Sequence, residues 1–215
     1  MTEYMSLKDH VYKYISKQIN EGYMNPDDKI NEQQISDALN ISRTPIREAL
    51  IQLASDGFLD NIPRRGFRVK SLDTKRVQEL YEIIGLLDGR IARNTVDIIK
   101  EEHIREMQFL ADSMEAAIEQ GLGEKYYGLQ VKFHDIYINL YTNKEMISLL
   151  NQLKSSFLRK YYIFEDPENE MDVLRETNRQ HYEIIRLFKE KKKDELEKYI
   201  ANTHWALDKA SFDSL

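Results

Sequence analysis

Two sets of side chains in this 215-residue sequence have types and spacing that could do chemistry. The first is a pair of arginine knots. The stretch "SRTPIREAL" holds Arg43 and Arg47 four positions apart, which puts them on one face of a helix. Just beyond, "PRRGFRVK" adds Arg64, Arg65, Arg68 and Lys70 with no acid among them. Guanidinium groups fit phosphate oxygens and the guanine edge, so such knots suit a nucleic acid. The second set is three of the five histidines, His134, His181 and His204. Each has apolar neighbours in helical register: Phe133 and Tyr137, Ile184 and Ile185, Ile200 and Leu207. Imidazole nitrogen suits Zn, Ni, Co or Fe. The alternative is three unrelated buried histidines, each with its own local hydrogen bond, and spacing alone favours it. His10 and His103 fall on polar faces and look incidental.

The bulk composition bounds what these groups can serve. Hydrophobic residues make up 41% and charged residues 32%, which suits a helix-rich chain with a real core. There is no cysteine, so a disulfide framework and cysteine zinc sites are excluded. No long apolar run reads as a signal peptide or a membrane span, and a cytoplasmic location is the expectation. The formal net charge of -6 hides an asymmetry. Residues 1–71 hold ten basic and ten acidic side chains, so the whole excess of acid lies beyond them. Within Ile41–Lys70 six basic residues face three acids, a locally basic segment on an acidic chain. That pattern points to one anionic partner bound at one place.

The elements that must hold these groups can be read from periodicity. Leu7, Val11, Ile15 and Ile19 recur every four residues and predict an amphipathic helix. Gly22 and Pro26 break it. Asn31 is placed to cap a short second helix with Ile35, Ala38 and Leu39 as its apolar face. A third helix follows a tight connection, with Ser42 or Thr44 as cap, Pro45 in the first turn, and Ile46, Ala49, Leu50 and Leu53 buried. Gly57 ends it. The period then changes: "FLDNI" and "GFRVK" predict a hairpin with Arg64 and Arg65 at its tip and Gly66 supplying a permissive backbone. From Asp73 onward the patterns are helical throughout. About six helices with short breaks predict an antiparallel bundle, the last of them running through "KDELEKYIANTHWALDKA". The fold class is therefore mainly α: a winged helix-turn-helix at 1–71, a linker at 72–77 and an all-α bundle at 78–215.

In a winged helix-turn-helix the third helix enters the major groove N-terminus first. Arg43 and Arg47 would then face base edges, Ser42 and Thr44 would suit phosphates, and the wing at Arg64, Arg65 and Gly66 would reach an adjacent groove or backbone. The run "INEQQISDALNISRTPIREALIQLASDGFLDNIPRRGFRV" closely resembles the GntR family of bacterial transcription regulators. The helical remainder resembles the FCD effector domain of that family's FadR-like branch. The resemblance implies DNA contacts at Arg43, Thr44, Arg47, Arg65 and Gly66. It also implies a homodimer on an inverted-repeat operator and control by a small metabolite, a carboxylate, with repression as the usual outcome. Metal-binding FCD domains resemble "D..FH" on one helix, "H..I" on a later one and a last histidine on the closing helix. Here His134, His181 and His204 match, while Gln130 stands at the place of the aspartate. Two further departures are Gln33, where some relatives carry arginine, and Ile84, where relatives often do.

Two other classes would draw on the same residues. A histidine-ligated metallohydrolase would need a general base beside the histidines, yet H-E-x-x-H is absent and Glu183 points away from His181 on a helix. A DNA-binding scaffold with an effector-deaf bundle would show no melting shift with any metabolite. The expectation is a regulator and not an enzyme.

Overall fold

The computed structural model describes residues 6–20, 23–70, 74–155 and 167–212. The chain divides into two compact units, with the boundary between Asp73 and Thr74.

In the first unit, α1 (Leu7–Asn20) packs Val11, Ile15 and Ile19 against α3 (Arg43–Ser55), which returns Ile46, Ala49, Leu50 and Leu53. Between them lies α2 (Glu32–Leu39). Asn31 caps it as expected: its Oδ1 accepts from the backbone N–H groups of Gln33 and Gln34, both at 3.1 Å. The turn into α3 is held by Asn40 in the left-handed conformation and by the Ser36 hydroxyl, which donates to the Ile41 carbonyl at 2.8 Å. Ser42 occupies the N-cap position of α3, but its hydroxyl makes no capping hydrogen bond, and Thr44 lies inside the first turn. Neither side chain closes that helix end, contrary to expectation.

The hairpin pairs β1 (Leu59–Ile62) with β2 (Gly66–Val69) antiparallel, Leu59 opposite Val69 and Ile62 opposite Gly66. Leu59, Phe67 and Val69 point into the core, which fixes the register. Residues 27–30, expected as plain loop, lie alongside β2 as a further strand-like segment. Asp27 N–H donates to the Val69 carbonyl, Val69 N–H to that of Asp28, and Ile30 N–H to that of Phe67, each at 2.9 Å. Gly22, the other expected break, lies outside the described residues.

The second unit is helical throughout its described residues, with α4 (Thr74–Thr95), α5 (Glu101–Glu119), α6 (Gly123–Ile138), α7 (Lys144–Ser155), α8 (Pro167–Lys189) and α9 (Lys193–Tyr199). α5 packs on α6 and α8, and α4 packs on α9. Ile84, Ile91, Met107, Met114, Tyr126, Phe133, Leu174, Phe188 and Leu196 fill the interior. Two expectations need correction. The linker at 72–77 is shorter, since Thr74–Val77 already form the first turn of α4. The closing helix is not continuous: α9 passes into a π-helical turn (Ile200–His204), then into a 3-10 segment (Leu207–Phe212). The Trp205 N–H reaches back five residues to the Ile200 carbonyl at 3.0 Å, the bond that defines the wider turn. The expected continuation of the series through "SFLRKYYIF" lies outside the described residues, as do Glu165 and Asp166 of the break "EDPEN", while its last three residues already belong to α8.

Candidate metal centre and nucleic-acid interface

The three bundle histidines, far apart in sequence, meet in the interior of the helical unit. His134 is on α6, His181 on α8 and His204 at the end of the π-helical turn. Their ring centroids lie 4.9, 5.1 and 5.4 Å apart, a near-equilateral triangle. All three are buried, and one ligand nitrogen from each falls within 4.8 Å of the others. Phe133 covers His181 at 4.6 Å between centroids.

Each ring is oriented from behind by an acceptor at Nδ1. Behind His181 is the Asn178 Oδ1 at 3.4 Å, and behind His204 the Gln180 Oε1 at 3.0 Å. His134 Nδ1 meets the Tyr137 hydroxyl at 2.7 Å, and that hydroxyl donates to Asp88 Oδ1 at 2.5 Å. Burial and the facing Asp88 carboxylate push the Tyr137 phenol well above its ordinary value, so it keeps the proton it donates. Its oxygen is then the acceptor for the His134 Nδ1–H. Asp88 Oδ2 takes the indole N–H of Trp205 at 3.0 Å. With all three protons at Nδ1, the three Nε2 lone pairs turn inward.

That arrangement leaves an imbalance. In that tautomer the Nε2 atoms of His134 and His204 face each other at 3.1 Å acceptor to acceptor, and the buried His181 Nε2 has no hydrogen-bond partner among the described residues. An unmet buried acceptor costs about 1–3 kcal/mol. Burial, and then the nearby His204, hold His181 well below the ordinary imidazole value, so it does not relieve the strain by taking a proton. A divalent transition-metal ion fits the donor set: neutral imidazoles on separate elements, each with an outer acceptor that fixes its tautomer. Two nitrogens bound to one ion at about 2.0–2.1 Å stand roughly 3–3.5 Å apart, the spacing His134 and His204 already have. Gln130 is half-buried, one turn before His134, and its side chain makes no hydrogen bond among the described residues. His103 has a separate task, accepting the Lys100 N–H at the start of α5, and His10 is exposed.

Asp88, Asn178 and Gln180 were not singled out from the sequence. Asp88 could have been. It lies four residues after Ile84 and three before Ile91, on the apolar stripe of α4, where a solvated acid does not belong. Nothing local joins Gln180 to His204, 24 residues on.

The first unit presents its arginines outward. Ser42, Arg43, Thr44 and Arg47 are exposed around the N-terminal half of α3, and Arg64 and Arg65 are exposed in the turn between β1 and β2. The Arg43 guanidinium donates to the Gln33 Oε1, and the Gln33 amide in turn donates to Asp37 at 2.7 Å. Gln33 thus braces an arginine. The side chains of Arg47, Arg64 and Arg65 make no hydrogen bond or ion pair among the described residues. Arg68 is drawn toward Asp27 at 3.4 Å. Gly66 has φ +87° and open space where a Cβ would sit, so it is the backbone angle that calls for glycine.

A winged helix-turn-helix joined to a helical unit with a buried polar centre defines a DNA-binding regulator with a ligand-responsive domain. The family is shown by direct comparison. The model for "Bacterial regulatory proteins, gntR family" matches residues 7–69, and that for the FCD domain matches residues 79–204, more than half of the chain. The chain belongs to the GntR family and carries a DNA-binding GntR domain followed by an FCD effector-binding domain. Its relatives are transcriptional regulators. An uncharacterized HTH-type transcriptional regulator, YdhC, of Bacillus subtilis is 32% identical over 66% of this chain and 64% of its own length. The Nta operon transcriptional regulator of Aminobacter aminovorans is 26% identical over 83% of this chain and 81% of its own. The HTH-type transcriptional repressor RspR of Escherichia coli is 23% identical over 89% and 83%. Among solved structures, E. coli McbR/YncC shares the fold with a TM-score of 0.77 at 21% identity, covering 97% of this chain and 98% of that one. No described helix is long and apolar enough to cross a membrane.

Proposed function

We propose that the chain is a metal-dependent, metabolite-responsive transcriptional repressor. One observation carries the reading: three buried imidazoles turn their Nε2 atoms to a common point and their Nδ1 atoms to outer acceptors. His134, His181 and His204 would hold a divalent ion, with Gln130 a weak fourth donor, and a small carboxylate would complete the shell. Ile84 is fully buried and supplies no cation on α4, which favours an effector less acidic than one paired with an arginine. On the DNA side, Arg43 and Arg47 would read bases, while Ser42, Thr44, Arg64, Arg65 and Gly66 would approach the backbone. The uncapped N-terminus of α3 leaves N–H donors for a phosphate. Two copies related by a two-fold axis would read an inverted repeat.

Asp88 argues against a hydrolase. Its oxygens engage Tyr137 and Trp205 behind the rings rather than the Nε2 side, so it is not placed to activate a water there.

The test combines elemental analysis of the purified protein with operator binding. Chelator-stripped protein is titrated with Zn, Ni, Co and Fe ions, and operator retention is followed with and without small carboxylates. The expected result is one bound ion per chain and a carboxylate-dependent loss of operator affinity. Gln130→Asp adds a charge one turn before His134 and should tighten the metal. If neither wild type nor Gln130→Asp binds an ion while a metabolite still shifts operator affinity, the bundle senses its effector without metal. A monomer that binds a single half-site with full specificity would refute the dimer.

A further inference from the structure

The third histidine arrives on an unusual piece of backbone, and that backbone rests on two glycines. A Cβ at Gly89 of α4 would sit 2.6 Å from the Glu197 carbonyl oxygen, and one at Gly85 would sit 2.9 Å from that of Ala201 and 3.1 Å from Trp205 Cβ. Real side chains do not come so close to backbone, so α9 and the π-helical turn lie directly on the α4 backbone at these positions. Arg90 and Arg93 flank the contact, with Arg90 to Glu197 at 2.9 Å and Arg93 to Asp194 at 2.9 Å. Between the glycines sits Asp88, fully buried. It holds Trp205, the residue after His204, through Oδ2, and Tyr137, the residue behind His134, through Oδ1. Trp205 also stands edge-on to Tyr81 of α4 at 5.1 Å and to His204 at 5.8 Å. One carboxylate therefore fixes the bearings of two of the three rings, from an element that carries none of them.

We propose that Asp88, seated between Gly85 and Gly89, is the positioning residue of the three-histidine centre, and that completion of the centre by His204 and docking of the π-helical turn on α4 are one event. The proposal rests on the metal reading above. A carboxylate offers an acceptor to both the phenol and the indole. An amide of the same shape offers one, so Asp88→Asn strands either the Tyr137 hydroxyl or the Trp205 N–H without changing volume. Gly89→Ala acts on the same seat sterically and leaves every polar group in place.

Trp205 is the chain's only tryptophan, so its emission reports the docked turn directly. Chelator-stripped full-length wild type, Asp88→Asn, Asp88→Glu and Gly89→Ala are titrated with Co2+ and Zn2+. Bound Co2+ is read by its visible absorption, Trp205 by emission wavelength and acrylamide quenching, and the fold by far-ultraviolet circular dichroism. Wild type should take up one ion and shift its Trp205 emission in step. Asp88→Asn and Gly89→Ala should bind about 10–100-fold more weakly, in the range of outer-shell losses. Their metal-free Trp205 should be redder and more readily quenched, with helix content kept. Asp88→Glu, which keeps the carboxylate, should recover part of the affinity. Because Asp88→Asn preserves shape, it decides the matter if Gly89→Ala does not fold. Wild-type affinity in both variants would overturn the proposal and leave the metal reading intact. Weaker binding with Trp205 unmoved would overturn the single-event claim, since Asp88 would then act through Tyr137 alone. A blank wild type would overturn the metal reading and this proposal together, and is recognised because the failure precedes any substitution.

Discussion

The winged unit carries its chemistry on exposed side chains that depend on few neighbours, whereas the helical unit hides its chemistry behind a second layer of hydrogen bonds. Arg47, Arg64 and Arg65 need only a helix or a turn to point them outward. His134, His181 and His204 need Tyr137, Asn178 and Gln180 in place, and Tyr137 needs Asp88. A surface contact can be changed with local consequences. A buried centre fails or holds as a group, because a stranded polar atom inside costs more than the contact it loses.

The largest expected effect is therefore in the helical unit. His181→Ala should weaken metal binding by more than about 100-fold, beyond the range of outer-shell losses. It should also abolish the thermal stabilisation that a saturating ion confers, about 2.7 kcal/mol at 100 times its Kd. Calorimetry with and without metal checks this. Equal melting shifts in wild type and variant would erase the contrast. Next comes Arg47→Ala, expected to cost roughly 1–3 kcal/mol on the operator and to relax base preference. Arg64→Ala should weaken all sequences alike and lower the salt slope by about one. Binding isotherms on operator and random DNA at several salt concentrations separate the two. A uniform loss from Arg47→Ala would mean that α3 does not read bases.

Acid sharpens the comparison by touching only the buried side. His181 is held neutral in the folded chain below its ordinary value of 6.5, so the unfolded chain binds the extra proton first. Its contribution to stability is full above pH about 6.5. It is lost as pH falls from there toward the depressed folded value, at up to about 1.4 kcal/mol per pH unit. Urea titrations of metal-free protein from pH 8 to pH 5 test the sign. Stability that rose on acidification would mean that His181 is charged in place. The smallest effect is expected at Gln33→Ala, which frees Arg43 from its brace on the exposed surface. It should change stability by no more than about 0.5 kcal/mol and blunt operator affinity less than Arg47→Ala does.

The same contrast sets what could be read from sequence. The winged unit was legible because its signals are local: a cap at Asn31, a stripe at Ile46, Ala49, Leu50 and Leu53, a change of period at Phe58, a glycine at the wing. The three histidines were legible as candidates because each stands in an apolar helical register. Their supports were not, since Asp88 lies 49 residues from Tyr137 and 117 from Trp205, and only packing unites them. The strand-like segment at 27–30 escaped for a similar reason. Its partner is β2, some forty residues on, and "PDDK" carries no alternation of its own. The π-helical turn escaped because "YIANTHW" is ordinary helical sequence, and the wider bond belongs to the backbone.

That turn also has an evolutionary side. A π-helical turn is an α-helix with one residue too many, held open by its surroundings. Loss of one codon between Ile200 and His204 would let the segment close into regular helix with His204 kept near its bearing, because the wider turn takes up one extra residue in nearly the same rotation about the axis. A lineage could thus lose the wide turn by a single deletion and regain it by a single insertion, with the third imidazole still turned toward the other two. Descendants would carry the same histidines with or without the wide turn, and the tell-tale would be the number of residues between Leu196 and Trp205.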